Sequence, residues 1–217
     1  MADKINYYLI SLEELKEIKG KPKMLLHACC GPCSTFPLLF LCPHFDVTIY
    51  YNNSNIYPPS EYQRRLEELK KFLSFFKMDY GYEVKLIVPS YDNDSYNSFL
   101  KQFEKEKEGG PRCFACYEKR MAEAYDFASD NGYEYFTTVM TISRQKNSQK
   151  LNEIGKKLEA SHPNTKYFYS DFKKNKGQDK AREMRIFYDL YNQQYCGCYL
   201  SYNEYLDRIK SKENNSK

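Results

Sequence analysis

The sequence contains no tryptophan. It has no apolar run near the roughly 20 residues a membrane-spanning helix needs. The longest, around Thr35–Cys42, is far shorter. Residues Met1–Ser11 include Asp3, Lys4 and Asn6 and lack the apolar centre of a secretory leader. No internal repeat is visible, and no linker is long enough to divide the chain. These absences argue against a membrane partner and predict a protein made and kept in the cytoplasm. Thiols stay reduced there. The eight cysteines are therefore not read as a disulfide framework; metal binding or thiol catalysis is the default.

What is present suits one well-buried domain. The 217 residues are 41% hydrophobic, with 22 tyrosines, enough for a core. Short apolar runs at Met24–Ala28, Val47–Tyr51, Val84–Val88, Tyr135–Val139 and Tyr167–Tyr169 read as buried strands. Between them lie helical patterns at Glu61–Phe76, Phe114–Ala128, Asn147–Leu158 and Gln178–Tyr191. The first carries Leu66, Leu69, Phe72, Leu73 and Phe76 on one stripe, and Pro58-Pro59 marks the break before it. Alternating strands and helices predict an α/β fold: a mostly parallel sheet of about five strands flanked by helices. One domain is expected over residues 1–209, followed by a frayed polar tail at 210–217. Lys105–Pro111, with Gly109-Gly110, reads as a loop.

The cysteines are grouped. Cys29, Cys30 and Cys33 follow the first strand, Cys113 and Cys116 open a predicted helix, and Cys196 and Cys198 bracket a glycine. Cys42 stands alone and reads as a small core residue. Ligands gather at the ends of strands in open α/β sheets, and helix N-termini favour thiolates. Three chemistries fit. Cys30-Gly31-Pro32-Cys33 has the form of a thiol–disulfide oxidoreductase site, although the extra Cys29, the second cysteine pair and the missing tryptophan speak against it. Four thiolates suit structural zinc. Cys29, Cys30, Cys113 and Cys116 could instead hold a [4Fe-4S] cluster, leaving Cys33 for another metal or thiol.

The run His27-Ala28-Cys29-Cys30-Gly31-Pro32-Cys33 resembles the CC-x-x-C/D motif of the QueH-type epoxyqueuosine reductases. The resemblance continues through Tyr51-Asn52-Asn53-Ser54-Asn55-Ile56-Tyr57-Pro58, Glu61-Tyr62 and Arg64-Arg65. It extends to Arg112-Cys113-Phe114-Ala115-Cys116-Tyr117 with Arg120, and to Thr141-Ile142-Ser143 with Lys146-Asn147. It ends with Asp171-Phe172-Lys173-Lys174, Gly177 and Tyr195-Cys196-Gly197-Cys198. It departs where Asn53 or Ser54 replaces a proline, and where lysines stand near Lys173 in place of arginine, without the bidentate fork. The resemblance implies a fold similar to the adenine-nucleotide α-hydrolase (PP-loop-like) group. The S-G-G-x-D-S loop of a nucleotide-using member is absent after the first strand, so no ATP use is expected.

The family resemblance further implies reduction of epoxyqueuosine to queuosine at the wobble position (34) of tRNA, the last step of queuosine biosynthesis. It implies a [4Fe-4S] cluster on Cys29, Cys30, Cys113 and Cys116, and an additional mononuclear iron held partly by Cys33, a position occupied by Asp in other members. The electron donor is unidentified. Candidate proton donors are Tyr57, Asp171 and His27. Candidate RNA phosphate contacts are Arg112, Arg120, Arg144, Lys146, Lys173, Lys174 and Lys176; the stretch Arg144–Arg185 holds twelve Lys/Arg against five Asp/Glu. Cys196 and Cys198 form a redox pair or order the last turn. The rival functions are a zinc-binding RNA adaptor, a thiol–disulfide oxidoreductase on Cys30–Cys33, and a tRNA sulfur-transfer enzyme, which would need a phosphate loop. Basic contacts to phosphate predict RNA affinity that falls steeply between about 50 and 200 mM salt; a flat filter-binding profile would remove that assignment.

Overall fold

The computed structural model describes residues 4–215. Five strands, β1 (Lys23–His27), β2 (Asp46–Tyr50), β3 (Lys85–Ile87), β4 (Tyr135–Thr138) and β5 (Lys166–Tyr167), form one sheet. Their order is β3-β2-β1-β4-β5, and every pair is parallel. The α/β architecture expected from the apolar runs is therefore present. The outer strands β3 and β5 are shorter than their apolar runs, and β5 begins one residue early, because only Lys166 and Tyr167 register against Tyr135 and Phe136.

The helices are α1 (Tyr7–Glu17), α2 (Gly31–Leu41), α3 (Pro59–Tyr80), α4 (Asn93–Lys101), α5 (Pro111–Asp130), α6 (Ser148–Glu159), α7 (Gly177–Phe187) and α8 (Tyr199–Asn215). Side chains of β1 alternate between two cores, as period-two geometry requires. Met24 and Leu26 pack with Phe36 and Leu41 of α2, Leu69 and Phe72 of α3, and Met184 of α7. Leu25 packs with Met121 and Tyr125 of α5 and Leu151 and Ile154 of α6. The sheet is thus covered on both faces.

Helices α1, α4 and α8 were not among the predicted ones. Side-chain caps start the first two: Asn6 accepts from Leu9 N and Asp92 from Ser95 N. Helix α8 runs to Asn215, so residues 210–215 of the expected frayed tail are helical, and 216 and 217 lie outside the described residues. Residues 102–110 form successive turns rather than an open loop. Among the described residues no helix is long and apolar enough to cross a membrane.

Strand order reverses at β1. The chain runs from β1 outward to β3, then returns to place β4 on the other side of β1. The crevice beyond the C-terminal ends of β1 and β4 is the switch point, where α/β sheets bind ligands.

Helix α6 crosses β5 closely. A Cβ at Gly155 would lie 2.2 Å from the Tyr167 ring. Ordinary helix propensity would make Gly155→Ala stabilising by roughly 0.5–1 kcal/mol. Overpacking reverses that sign: the substitution is expected to cost roughly 1–3 kcal/mol, read as a lower urea midpoint at unchanged slope.

Candidate metal centre

Strand β1 ends at His27, and the next turn carries Cys29 and Cys30 into α2. Cys30 is the extended N-cap and Pro32 lies in the first turn, so helix geometry begins at once. A Cβ at Gly31 would stand 2.8 Å from the Glu68 carbonyl of α3, so this close approach requires glycine. The Sγ atoms of Cys29, Cys30 and Cys33 all lie within 4.8 Å of one another, with Cys29 and Cys30 at 3.9 Å. Hydrogen bonds from Cys30 and Cys33 hold the Cys29 thiol well below its usual range, helped by Arg120 and Lys146. Burial pushes Cys30 up to about 12. Cys33 is raised by its bonds to Cys29 and Cys30 and by burial. Cys29 is thus the thiol of the trio that gives up its proton most readily, and a metal would displace the thiol protons.

A buried polar frame lies beneath. His27 Nδ1 is 2.9 Å from Thr138 Oγ1 of β4, and Nε2 is 3.2 Å from Arg120 Nη2 of α5. The guanidinium can only donate, so Nε2 accepts and Nδ1 carries the proton. Burial and then Arg120 push His27 down to about 3. It is a neutral packing residue, sealed from solvent, rather than the proton donor suggested by its position. Arg120 also donates to Asn53 Oδ1 at 2.5 Å and approaches Met140 Sδ at 3.6 Å. It feels the charges of Cys116 and Cys29, which links the two cysteine groups electrostatically.

Cys113 and Cys116 sit in the first turns of α5. Cys113 Sγ accepts from Gly109 N at 3.2 Å, and Cys116 Sγ from the Tyr96 hydroxyl at 3.4 Å. Burial raises both thiols. They lie outside the tight trio. The C-terminal loop closes over the trio: Gln193 Nε2 is 3.4 Å from Cys30 Sγ and 3.8 Å from Cys33 Sγ. Arg65 of α3 holds this loop, donating to Cys196 O at 2.9 Å and Tyr195 O at 3.1 Å while pairing with Glu61 at 2.7 Å. Lys146 Nζ, from the segment after β4, is 3.6 Å from Cys196 Sγ. Burial opposes its charge, yet the thiols of Cys196, Cys29 and Cys33 and the Tyr117 hydroxyl raise the ammonium above the ordinary lysine range. Cys198 Sγ lies beside Ser201.

A cavity of about 110 Å³ reaches the site, bounded by Cys29, Cys33, Lys146, Gln193 and Cys196 among others. It shares Gln145, Gln194, Tyr195 and Cys196 with an outer cavity of about 320 Å³, which Tyr205 and Arg208 border. The donor set suits a thiophilic metal. Cys29, Cys33 and Cys196 line the crevice, and the two cations beside it, the buried Arg120 and the half-buried Lys146, have no carboxylate partner among the described residues.

The family described as "Epoxyqueuosine reductase QueH" matches residues 24–204. The chain belongs to this QueH family. It is 42% identical over 180 residues to the epoxyqueuosine reductase QueH of Staphylococcus epidermidis, covering 82% of this chain and 75% of that protein. It is 37% identical over 215 residues to that of Streptococcus pyogenes, covering 97% and 84%. It is 28% identical over 182 residues to that of Thermotoga maritima, covering 82% and 89%. The chain is an oxidoreductase of the QueH type.

Within this QueH chain, the basic residues expected at phosphate divide by burial. Arg112 is buried and paired with Glu204 at 2.6 Å, and Arg120 is buried in the frame just described. Neither guanidinium reaches the surface. Lys173 is half-buried, donating to Thr141 O and Lys146 O and facing Asp171 at 3.5 Å. Arg144 is exposed beside Gln178 and Asp179, and Lys174 and Lys176 are exposed. Tyr57 borders a different cavity, with Asn97 and Tyr199. Asp171 accepts from Ser148 in a third cavity, which touches the thiol site only through Lys146. Neither Tyr57, whose backbone N–H donates to Gly197 O at 2.8 Å, nor Asp171 lines the cavity of Cys29 and Cys33. Cys42 is a core residue, as expected. Gln193, Tyr96 and Arg65 contact the site without having been singled out for it; only Arg65 stood inside a quoted motif.

Arg65 is buried with Glu61. Removing one member of such a pair leaves the other charge uncompensated. Arg65→Met should cost about 3–5 kcal/mol of unfolding free energy, and Arg65→Lys should recover only part of it, because an ammonium lacks the planar fork. Denaturant unfolding of both variants checks this.

Proposed function

We propose that this chain reduces the epoxide of epoxyqueuosine to the alkene of queuosine at the wobble position of tRNA. The observation that carries the reading is the trio of Cys29, Cys30 and Cys33 at the switch point, close above the buried cation Arg120, in a chain whose relatives are named epoxyqueuosine reductases. Deoxygenation breaks two C–O bonds, consumes two electrons and two protons, and releases water. Among side chains only a thiol pair can supply those electrons, and delivering them to a C–O bond requires a redox group.

Cys29, Cys30, Cys113 and Cys116 are the ligands we assign to a [4Fe-4S] cluster, with Cys33 contributing to a neighbouring iron. Bound there, these groups supply electrons and Lewis acidity. The protein's own residues do the rest. Arg120 offsets the negative charge of the thiolates. Gln193, donating toward Cys30 and Cys33, tunes the sulfurs, as hydrogen bonds to ligating thiolates do. Cys196 and Cys198 form a redox pair: joining two thiols as a disulfide releases two electrons and two protons, matching the demand of one epoxide. A separate reductant must restore them. The splayed wobble base enters through the cavity bordered by Tyr205 and Arg208, with Arg144, Lys174 and Lys176 on phosphate.

Anaerobic purification followed by metal analysis tests the assignment. About four or five irons and about four sulfides per chain are expected, with visible absorption that bleaches on reduction, and Cys113→Ser should lose most of both. The iron-loaded protein should convert epoxyqueuosine in an anticodon stem-loop, and thiol labelling of the same samples should find Cys196 and Cys198 blocked after turnover without reductant. One zinc, no sulfide and no colour would replace this reading with the zinc-binding RNA adaptor. Two labelled thiols in both states would remove the redox pair alone.

A further inference from the structure

Two loops flank the switch-point crevice. The loop after β1 brings the thiols Cys29, Cys30 and Cys33. The segment after β4 brings a cation. Thr138 ends β4 and caps a 3-10 turn over Val139–Ile142, and Asn147 then caps α6. Lys146 lies in the short connection between these two capped elements. Its backbone is fixed at both ends: its N–H donates to Ser143 O at 3.3 Å, and its carbonyl accepts from Lys173 at 3.3 Å. Its ammonium is aimed inward at Cys196 Sγ.

Of the residues lining the 110 Å³ cavity, Lys146 alone is cationic. The volume is well below the roughly 300–1,000 Å³ of a pocket that encloses a whole small molecule. It borders Cys29 and Cys33, the thiols assigned above to the metals, so a nucleotide would bring only its reacting end here and keep the rest in the adjoining outer cavity. The thiols and the Ser143 hydroxyl, a far weaker acid than an ammonium, also line the cavity; the imidazole, phenol and carboxyl groups nearby are committed. His27 is sealed beneath and bonded to Thr138 and Arg120. The Tyr195 hydroxyl donates to Tyr57 O at 2.7 Å. Tyr57 and Asp171 border other cavities.

We propose that Lys146 is a catalytic residue of this site: its ammonium donates a hydrogen bond to the epoxide oxygen and stays on that oxygen as the C–O bonds break. The assignment rests on the epoxyqueuosine reading above. Negative charge grows on the departing oxygen, and a fixed donor in a water-poor cavity stabilises such charge far more than one in solvent. The ammonium proton can pass to the oxygen and be replaced from water through the outer cavity. The balance is one epoxide, two electrons from the reduced metal centre and two protons, giving one alkene and one water. This role differs from a phosphate contact, in which the same lysine would add affinity without adding rate.

The test uses the anaerobically loaded protein, dithionite as reductant and an anticodon stem-loop carrying epoxyqueuosine. Iron and sulfide content, stem-loop affinity across a salt series, and single-turnover rate at saturating RNA are measured for the wild type, Lys146→Met and Lys146→Arg. K146M is expected to keep its iron, sulfide, affinity and salt slope. Its rate should fall on the order of 100- to 1,000-fold, with partial recovery in K146R. A K146M rate within threefold of the wild type would overturn the proposal. So would a loss of affinity with a salt slope reduced by about one and an unchanged saturating rate, which marks a phosphate contact. Loss of iron from K146M would also overturn it, assigning the cation to charge balance of the metal centre. A wild type fully loaded with iron yet inactive on this RNA would refute the epoxyqueuosine reading itself.

Discussion

The guanidinium of Arg120 is the contact on which the site is built. From α5 it reaches the imidazole at the end of β1, the Asn53 carboxamide after β2 and the Met140 sulfur after β4. One side chain thereby fixes the relative positions of four segments at the switch point. A buried cation costs several kcal/mol unless it is compensated, and no carboxylate compensates this one. Sulfur does so instead: burial opposes the charge, and the neighbouring Cys116 and Cys29 favour it whenever they are ionised. Fold stability and metal affinity are therefore coupled, because whatever keeps the thiols ionised also stabilises the frame under them.

Charge is divided in this molecule by depth rather than by position in the chain. Arg65, Arg112 and Arg120 are arginines turned inward; the forks of Arg65 and Arg120 spread over several acceptors, and Arg112 pairs with Glu204. The lysines at 174 and 176 and Arg144 face solvent. Arginine suits the interior because its guanidinium is more weakly hydrated and stays charged. Lys146 is the exception, an ammonium turned inward among thiols, and that contrast singles it out from the surface lysines around it.

Much of the architecture was legible as hydrophobic period. The strands of the sheet centre appear as apolar runs, and α3, α5, α6 and α7 carry amphipathic stripes. Helix α2 has no stripe, since Ser34, Thr35, Phe36, Pro37 and Leu38 are all buried; its start was marked only by the cysteines at its N-terminus. Helix α4 depends on a local aspartate cap, a weak signal beside its polar composition. The cysteine groups were visible from spacing. Their surroundings were not, because contacts such as Gln193 on Cys30 and Tyr96 on Cys116 join segments far apart in sequence. Sequence also reports that a residue is basic without reporting its depth, which is why Arg112 and Arg120 were expected at phosphate.

The loop that carries Gln193, Cys196 and Cys198 is clamped by Arg65 against α3. Chains leave the ribosome from the N-terminus, so this loop emerges after the thiols it covers. The first thiols appear about 160 residues earlier in synthesis than their lid, a separation set by the Gln193–Cys33 contact. Strand β1 likewise waits for β4, its partner across 111 positions, and such distant pairing is slow. During that interval three neighbouring thiols stand without their cover, open to oxidants and to the wrong metal. The clamp therefore also sets an order of assembly: closure waits for the loop of Gln193, Cys196 and Cys198.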